Sequence, residues 1–573
     1  MVIYEKFIGR TRESFTDLND LRQNFKIEYP NNFNFAYDVI DELGKTKPKK
    51  LAMIWLSKDR EEKRFTFSDF LIWSNKCANY FKSQGINKGD RVLLVLKRSY
   101  LFWFAMLGLH KIGAIPVQAT NMLVGHDYIY RCNKGQIKAV LMTGDDDVTE
   151  HFDDVWAKCP TVTKKFVTKH KKPVGGAWID FEEGLEKASE EWTRPTGKEG
   201  TTVNDVMLMA FTSGTTGYPK MIKHDFRYPL GHIMTGVFWH RVVNGGLHFT
   251  ISDTGWLKSL WGKFYGQWFG ESAVLVFDFD KFDAKEILEV LEQYKVTTFC
   301  VPPTMYRFIL QQDVAKYNLS SLTNCCSAGE ALNADIYNKW KQITGLDIYE
   351  GFGQTETTLC LGTLKGFATP ISGFIGTPIP GYDISIKNAE GIDCLPGEEG
   401  EICIKGTLDN KPCGVSCGYH EDEESTAKSW RDGYFHTGDT AYFDEHGLIK
   451  YIGRNDDVIK SSGYRIGPFE VESVLMEHPA ILEVAVTGYP DAKRGFCVKA
   501  TIVLKKGYVP SDELKLELQT FVKHNTAPYK YPRIIEYEES LPKTISGKIR
   551  RTEIRDRDIE MYKKLLEIKA INE

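Results

Sequence analysis

The sequence predicts a large α/β domain that ends in a β-rich subdomain, followed by a small α+β domain at the C-terminus. Its 573 residues are several times the usual domain length of roughly 100–150, so more than one hydrophobic core is expected. Apolar runs alternate with helix-like segments along most of the chain. The pattern of apolar and polar residues changes from residue 456 onward, so we expect domains at 1–455 and 456–573.

Two strand–helix–strand units carry the α/β prediction. The predicted elements are strands at 91–96, 113–117, 274–277 and 296–301, and helices at 99–111 and 283–294. Alternation of this kind favours a parallel sheet covered by helices.

The later part of the chain has a different pattern. Short strands with polar turns, at 383–387 and 400–405, predict the β-rich subdomain. The C-terminal region has an amphipathic helix at 470–477, a strand at 481–486, a helix at 511–524 and a basic tail. These elements suffice for a small α+β domain.

Charge and composition argue against several classes of protein, among them nucleic-acid-binding, zinc-binding and membrane-spanning proteins. The 73 basic and 77 acidic residues leave a net charge of −4, which gives no general attraction to nucleic acid or to anionic membranes. The twelve cysteines lack zinc-site spacing, so we expect reduced thiols. The apolar stretch 101–109 is far shorter than the roughly 20 residues of a membrane span. With no export signal evident, a cytoplasmic protein is expected.

The segment FTSGTTGYPK at 211–220 has the chemistry of a polyphosphate-binding loop. Glycines allow close approach of a ligand, hydroxyls add donors, and a lysine adds a point charge. These groups are Thr212, Ser213, Gly214, Thr215, Thr216, Gly217 and Lys220. Walker A spacing is not met, because Pro219 stands five residues after Gly214. Alone, the segment could also be a polar surface turn.

Six further motifs follow the loop along the chain. They are SAGE at 327–330, YEGFGQTE at 349–356, YFHTGD at 434–439, GRNDD at 453–457, SSGYRIG at 461–467 and PKTISGK at 542–548. Together with the loop they resemble the adenylate-forming superfamily of acyl-CoA synthetases, luciferases and peptide-synthetase adenylation domains. The resemblance extends over essentially the whole chain.

This resemblance implies an ATP site and assigns roles within it. Phe352 and the segment after Gly329 would enclose adenine, Asp439 and Arg454 would bind the ribose, and Thr355 would lie near the α-phosphate. The ATP-binding residues implied, besides the loop, are Gly329, Glu330, Glu350, Gly351, Phe352, Gly353, Gln354, Thr355, Asp439, Arg454 and Lys548. Glu356 is a hard carboxylate suited to Mg²⁺, and the resemblance gives it that role. Without the resemblance, Glu356 would be an ordinary solvated charge and Phe352 a core residue.

The resemblance also implies a two-step reaction. A carboxylate attacks the α-phosphorus of ATP to give acyl-AMP, and the thiol of coenzyme A then displaces AMP. Lys548 would enter the site for the first step, because a cation must offset the repulsion between a carboxylate and a polyanion. The C-terminal domain would rotate about Asp456, and coenzyme A would then contact Ser462, Gly463, Tyr464, Arg494, Lys523 and Tyr531.

The motifs around 252–268 resemble those of medium-chain acyl-CoA synthetases. We expect Trp256, Trp261 and Gly353 to line the acyl pocket. In acetate-specific relatives a tryptophan stands at the position of Gly353, so the glycine predicts a pocket for longer acids. Alternatives are an aryl-CoA or branched-acid ligase and an adenylation domain that charges a carrier protein. The expected partners are the acid, ATP and coenzyme A, and a homodimer stays open.

Overall fold

The computed structural model describes residues 1–169, 177–212, 219–462, 464–543 and 549–572. The strands in these ranges are β1 (Leu51–Ser57), β2 (Glu62–Thr66), β3 (Arg91–Val95), β4 (Ile115–Gln118), β5 (Ala139–Thr143), β6 (Lys164–Thr168), β7 (Trp178–Asp180), β8 (Val206–Phe211), β9 (Met221–Asp225), β10 (Leu247–Thr250), β11 (Ala273–Asp278), β12 (Thr298–Cys300), β13 (Asn324–Ala328), β14 (Ile348–Phe352), β15 (Leu361–Gly362), β16 (Thr377–Pro378), β17 (Ile384–Lys387), β18 (Gly400–Lys405), β19 (Trp430–Arg431), β20 (Tyr434–Phe443), β21 (Ile449–Arg454), β22 (Ile459–Ser461), β23 (Tyr464–Ile466), β24 (Ile481–Asp491), β25 (Gly495–Leu504) and β26 (Ile534–Tyr537).

The α-helices are α1 (Glu5–Ile8), α2 (Leu18–Asn24), α3 (Glu42–Thr46), α4 (Phe67–Ser83), α5 (Leu101–Ile112), α6 (Gly125–Lys134), α7 (Val148–Asp153), α8 (Phe181–Lys187), α9 (Tyr228–Ile233), α10 (Lys258–Gly262), α11 (Tyr265–Phe269), α12 (Ala284–Gln293), α13 (Pro303–Ile309), α14 (Ala334–Thr344), α15 (Glu423–Ser429), α16 (Pro468–Met476), α17 (Asp512–Asn525) and α18 (Arg551–Asn572). Short 3₁₀ and π segments complete the helical structure.

Two large, mostly parallel sheets form the N-terminal domain. One has the order β7-β6-β5-β3-β4-β8-β9, and the other has the order β16-β15-β14-β13-β12-β10-β11-β1-β2. Antiparallel pairing is confined to the ends of each sheet. Every residue of α5 is buried and the helix packs against α4, because it is apolar on all sides up to Leu109 and the buried Lys111 pairs with Asp41 at 2.7 Å. The predicted α/β class and both strand–helix–strand units are confirmed.

A β-rich subdomain follows the two large sheets, as predicted. Its antiparallel sheet runs β17-β18-β20-β19, with β21 paired to β20. The register of β20 and β21 places Asp439 opposite Arg454. Two residues from separate motifs are therefore neighbours because of strand pairing.

The C-terminal region contains a separate sheet, β23-β22-β25-β24, with β26 parallel to β25. Helices α16 and α17 bury Val471, Leu475, Leu518 and Val522 against it. The predicted helices and strand of this region are present. The final residues differ from the expectation of a basic tail, since they form helix α18.

Cysteine burial agrees with the expected reduced thiols. All twelve cysteines are free, and ten of them are buried. Within the described ranges, no helix is long and apolar enough to cross a membrane.

Candidate active site

The carboxyl ends of β13 and β14 bring two of the predicted motifs together. The parallel register pairs Ser327 with Glu350 and Ala328 with Gly351. The loop that begins at Gly329 and the segment after Phe352 therefore leave the sheet side by side. In open α/β sheets, ligands bind at such strand ends.

Glu350 fixes the loop that follows β13. Its side chain accepts a hydrogen bond from the Leu332 backbone N–H at 3.0 Å. The residue is 7% exposed, and burial raises the pKa of Glu350 to about 7. On the same loop, the Glu330 carboxylate accepts a hydrogen bond from Thr304 at 2.7 Å. Both contacts hold in place the segment expected to bind adenine.

Asp439 has the most ordered surroundings in the candidate site. The Tyr451 hydroxyl donates a hydrogen bond to one carboxylate oxygen at 2.8 Å, and the Gln354 amide donates to the other. Burial raises the pKa of Asp439 to about 6, opposed by nearby Arg454. The Phe352 ring lies 6.0 Å from the Tyr451 ring, centroid to centroid. The predicted adenine and ribose residues are thus adjacent.

The turn before Asp439 is held by Glu401. One carboxylate oxygen of Glu401 accepts from the Gly438 N–H at 2.8 Å, and the other lies 2.9 Å from His436 Nδ1. Cys403 is also close, so the three side chains have metal-ligand types at short distances. However, Glu401 and His436 already bond to each other, and burial raises the pKa of the Cys403 thiol to about 12. We interpret this group as structural support for the turn.

Glu356 lies beside the exit of the phosphate loop. The Tyr419 hydroxyl donates to its carboxylate at 3.0 Å, and the Lys220 ammonium lies 5.2 Å from the centre of the Tyr419 ring. Burial raises the pKa of Glu356, while Arg454 and Lys220 act in the opposite direction. The carbonyl of Thr355 lies 2.7 Å from Nε2 of the buried His224. Through Tyr419, these contacts place the Thr355-Glu356 pair close to Lys220, at the end of the loop.

Only the two ends of the phosphate loop can be placed. The Thr212 N–H donates to the Lys220 carbonyl at 2.8 Å, and the Lys220 N–H donates to the Thr212 hydroxyl at 3.3 Å. These bonds close the base of the loop. The predicted Ser213, Gly214, Thr215, Thr216 and Gly217 lie outside the described residues.

Two of the predicted acyl-pocket residues, Gly353 and Trp261, are neighbours. A side chain at Gly353 would overlap the ring of Trp261, which is 4% exposed, and the backbone carbonyl of Thr358. The indole of Trp261 therefore lies directly beside Gly353. Lys258 lies on the same wall and donates to the Ala328 carbonyl at 2.9 Å. Trp256 is half-buried. It stands five residues before Trp261, at the start of the turn that leads into α10.

The residues expected to bind coenzyme A lie on the C-terminal domain, where Ser462 and Tyr464 are exposed and Arg494, Lys523 and Tyr531 are half-buried. The Ser462 N–H donates to the Arg494 carbonyl at 3.1 Å, which joins two of them. Tyr464 is 50% exposed and stacks on Tyr529 with ring centroids 4.1 Å apart. Gly463 lies outside the described residues.

Tyr531, which is half-buried against the core of the C-terminal domain, is the centre of a second group. The Lys523 ammonium lies 4.1 Å above its ring, and the Arg533 guanidinium lies 4.7 Å from the ring and donates to the Tyr531 hydroxyl at 2.6 Å. Backbone N–H groups of Lys493 and Arg494 donate to the Asp491 carboxylate and lower its pKa, and the nearby charges of Arg494 and Arg533 act in the same direction. The two expected groups therefore belong to one basic face.

The expected hinge residue lies between charged groups of both domains. Arg454 Nε is 3.3 Å from the Asp456 carboxylate, and Arg555 donates to the Asp456 carbonyl at 2.7 Å. Lys548 lies outside the described residues, but the segment that contains it is closed by pairing of Lys543 with Ile549.

Sequence reasoning did not find several residues that shape the site. They are His224, Glu401, Tyr419, Tyr451 and Arg533. All but Arg533, whose partner Tyr531 is two residues away, act through a partner distant in sequence or through strand pairing, and none stands in a glycine-rich motif.

Comparison with known families and proteins matches this chain at nearly full length. A family model described as "AMP-binding enzyme" matches residues 40–420, and one described as "AMP-binding enzyme C-terminal domain" matches residues 470–548. "Acyl-coenzyme A synthetase ACSM3, mitochondrial" of Mus musculus is 38% identical over 566 residues, covering 97% of this chain and 96% of the relative. "Acyl-coenzyme A synthetase ACSM5, mitochondrial" of Rattus norvegicus is 39% identical, covering 92% and 91%.

Solved structures show the same fold. The anthranilate CoA ligase AuaEII, in complex with anthranoyl-AMP, aligns with a TM-score of 0.83 at 27% identity, covering 92% of this chain and 98% of that protein. A benzoate CoA ligase from Burkholderia xenovorans LB400 aligns with a TM-score of 0.77 at 26% identity, covering 91% and 100%.

One expectation from the sequence is wrong. The relatives described above are named as mitochondrial proteins, and this contradicts the cytoplasmic location expected from the N-terminal residues. That expectation rested on the lack of an apolar export signal, a criterion that does not test for mitochondrial targeting. In fold, motifs and length of match, this chain belongs to the AMP-binding enzyme family.

Proposed function

We propose that this protein is an AMP-forming acyl-CoA synthetase that joins a carboxylic acid to coenzyme A, using ATP and releasing AMP and pyrophosphate. One observation carries the proposal: Asp439, Glu356 and the base of the phosphate loop meet beside the same parallel strand ends. Full-length similarity to proteins named acyl-coenzyme A synthetases supports it.

In the first step, the buried groups would position ATP for attack by the carboxylate. Asp439 would accept hydrogen bonds from the ribose hydroxyls, and its pKa of about 6 leaves it ionised at neutral pH. Arg454, opposite it, would donate to the same sugar. Lys220 would place positive charge near the phosphates. Transfer at a phosphate depends mainly on positioning and charge neutralisation, which these groups provide.

Glu356 fits a role as the protein ligand of Mg²⁺. Its carboxylate is half-buried, and one oxygen is oriented by Tyr419. Magnesium usually takes one or two protein carboxylates and completes its shell with water and phosphate oxygens. Bound there, the ion would neutralise phosphate charge during acyl-AMP formation.

The second step would use the exposed face of the C-terminal domain. Rotation at Asp456 would bring Ser462, Gly463 and Tyr464 to the cleft and expose the acyl-AMP to the thiol of coenzyme A. The basic face around Tyr531 would bind the phosphates of coenzyme A. Lys548 would serve only the first step.

For the acid, we propose a medium-chain fatty acid. The apolar wall near Gly353 and the buried Trp261 favour an apolar acyl group over a charged one. An aromatic acid is the second candidate, because the flat Trp261 indole offers a stacking surface and two structural relatives are named for anthranilate and benzoate.

The test is an activity assay of the purified protein with ATP, Mg²⁺ and coenzyme A. Straight-chain acids from C2 to C12, branched acids, benzoate and anthranilate should be compared by AMP release and acyl-CoA formation. A pantetheine-loaded carrier protein replaces coenzyme A in a parallel set. Failure to form acyl-CoA from any acid would contradict the proposal.

The lysine of the C-terminal motif provides a sharper test. Lys548→Ala should lower acyl-AMP formation by about two orders of magnitude or more, because a cation at the reacting phosphate is lost. Thioester formation from supplied acyl-AMP should largely survive. Equal loss in both half-reactions would contradict the use of two domain positions.

A further inference from the structure

Two exposed tyrosines stack on each other at the surface of the C-terminal domain. The rings of Tyr464 and Tyr529 lie 4.1 Å apart, centroid to centroid, with an angle of 16° between their planes. Tyr464 is half exposed and Tyr529 is 40% exposed, so the pair lies outside the hydrophobic core. Tyr529 is not among the residues expected to bind coenzyme A. The stack therefore joins a residue expected at the coenzyme A site to one that has no role in it so far.

The turn next to Tyr464 needs support from its surroundings. Strands β22 and β23 pair Ser461 with Tyr464, so the chain reverses directly between these two residues. Within this turn, Ser462 has a φ of +50°, in the left-handed region that residues with a side chain seldom adopt. A backbone of this kind persists only where the surrounding structure holds it. The shape of the turn therefore depends on its contacts.

One contact holds the turn at its first residue and another holds it at its end. The Ser462 N–H donates to the Arg494 carbonyl at 3.1 Å. At the end of the turn, the Tyr464 ring rests on Tyr529. Because stacked aromatic rings attract each other beyond the area that they bury, this contact favours one orientation of the Tyr464 side chain. The stack is thus a direct means of fixing the turn.

Tyr529 is itself anchored to the domain. It lies in the short 3₁₀ segment Pro528–Lys530. The next residue, Lys530, forms an ion pair with Glu470 in the first turn of α16, and both side chains are mostly buried. Tyr531, which follows, packs against the core of the domain. Because the residues after it are held in this way, Tyr529 offers the Tyr464 ring a fixed surface.

The stack does not depend on the position of the domain. Ser462, Tyr464 and Tyr529 all follow the expected hinge at Asp456, so they would move together. Rotation at the hinge would carry the turn to the cleft with its shape unchanged. A group that already has its binding conformation loses less freedom when the ligand arrives, and this favours binding.

We propose that Tyr529 is a positioning residue for coenzyme A, which holds the Tyr464 ring and the turn at Ser462 in the shape that receives the thiol-bearing arm. The inference rests on the proposed function and adds to it a residue that prepares the second step. The group around Tyr531 serves the phosphates of coenzyme A, whereas Tyr529 acts on the arm through Tyr464. A thiol without the nucleotide should therefore also depend on Tyr529.

The experiment measures thioester formation from supplied acyl-AMP with two thiols, coenzyme A and pantetheine, which is the thiol-bearing part without the nucleotide. Tyr529→Ala removes the stacking surface, and kcat/KM should fall by about fivefold to tenfold for both thiols. Tyr529→Phe keeps the ring and should retain the native values. Acyl-AMP formation, followed by pyrophosphate release without coenzyme A, should be unchanged in both variants.

A double-mutant cycle tests whether Tyr529 acts through Tyr464. Tyr464→Ala should lower kcat/KM for both thiols at least as much as Tyr529→Ala does. The double variant should be no slower than Tyr464→Ala alone, because both substitutions remove the same stack. Tyr508→Ala alters a similarly exposed tyrosine of the same domain and should change neither half-reaction.

The outcomes are distinct. A native rate in Tyr529→Ala, a Tyr529→Phe variant as slow as Tyr529→Ala, or additive losses in the double variant would each overturn the inference. A loss with coenzyme A but not with pantetheine would also overturn it, because the ring would then act on the nucleotide. An equal loss of acyl-AMP formation would show general damage and overturn it as well.

Two further results are decided in advance. If pantetheine reacts too slowly to measure, the rates with coenzyme A in Tyr529→Ala, Tyr529→Phe and the double variant decide alone. If the unmodified protein forms neither acyl-AMP nor acyl-CoA, the proposed function fails instead.

Discussion

The nucleotide cleft and the coenzyme A face differ in how firmly their functional groups are held. In the cleft, Asp439 is 3% exposed and has two fixed hydrogen-bond partners. On the C-terminal face, Tyr464 is half exposed, and the cations of Lys523 and Arg533 lie against the half-buried Tyr531. The cleft is therefore organised before the ligand arrives, whereas the charges of the face remain partly accessible to water.

This contrast predicts different sensitivities to substitution. A buried, hydrogen-bonded charge leaves unpaired partners behind when it is removed, so its loss is costly. An exposed charge interacts through water and salt, and its loss has a small effect. Substitutions in the cleft should thus change activity far more than substitutions on the face.

Asp439→Asn should have the largest effect. The change removes the negative charge that would bind the ribose and leaves the Gln354 amide facing a second amide. We expect kcat/KM for ATP to fall by about 10²-fold, the scale for breaking a buried charged hydrogen bond. Asp383→Asn, a surface control whose partner Lys405 is also exposed, should retain full activity. A loss of less than threefold at Asp439 would refute the ribose assignment.

Glu350→Gln should change the pH dependence of stability. Because burial raises the pKa of Glu350 to about 7, the unfolded chain loses this proton at lower pH than the folded protein does. The protonated Glu350 therefore stabilises the folded protein at a pH below the pKa that Glu350 has in the unfolded chain. As the pH rises through 7 this stabilisation is lost, and the free energy of unfolding falls by a few kcal/mol in all.

The measurement is thermal unfolding of the unliganded protein at pH 5 and pH 8. The melting temperature of the native protein should fall more between these values than that of Glu350→Gln, which stays neutral and keeps an acceptor for Leu332. Glu398→Gln, which alters a surface acceptor of the Leu395 N–H, should behave like the native protein. Parallel pH profiles for all three proteins would contradict the raised pKa.

Trp261→Leu tests whether the indole limits chain length. The substitution opens space beside Gly353, and each additional buried methylene is worth about 0.8 kcal/mol. Two or three more buried methylenes should raise the ratio of kcat/KM for C10 over C4 acids by tens-fold. Trp192→Leu, which alters a contact with Tyr37 away from this wall, is the control. An unchanged C10 to C4 ratio would place the acyl chain elsewhere.

Local patterns predicted most of the fold, because each element has its own signal. The apolar stretch that forms most of α5 and the apolar runs of β3 and β11 could be recognised in the sequence. In each case, residues that are close together along the chain are buried together in the fold. The final helix α18 was missed, since its charged sequence lacks a clear apolar stripe.

The candidate site was predicted where the chain repeats a known motif and missed where distant residues meet. Asp439 and Glu356 stand in motifs, whereas Tyr451 and Tyr419 reach them through strand pairing or a loop. The prediction from Gly353 that the pocket accepts acids longer than acetate stays a prediction. A glycine shows only that no side chain begins there, and the neighbour that fills the space is determined by the fold.

The smallest effect is expected on the coenzyme A face. Lys523→Ala removes one of two cations from Tyr531, and Arg533 remains in place. We expect KM for coenzyme A to rise only about threefold to fivefold at low salt, because a charge that stays partly accessible to water contributes up to about 1 kcal/mol. Added salt should reduce the difference in KM between the variant and the native protein, because salt screens the attraction between Lys523 and the phosphates of coenzyme A.

Two comparisons make this result decisive for the contrast between cleft and face. Acyl-AMP formation without coenzyme A should be unchanged in Lys523→Ala, because the face takes no part in the first step. Lys515→Ala, on the same helix but away from the Tyr531 ring, should leave KM for coenzyme A unchanged. If Lys523→Ala lowered activity as much as Asp439→Asn, bound coenzyme A would have to exclude water from this face. The cleft and the face would then differ only before the ligand arrives, and the exposed charges would have to be treated as buried ones in the complex.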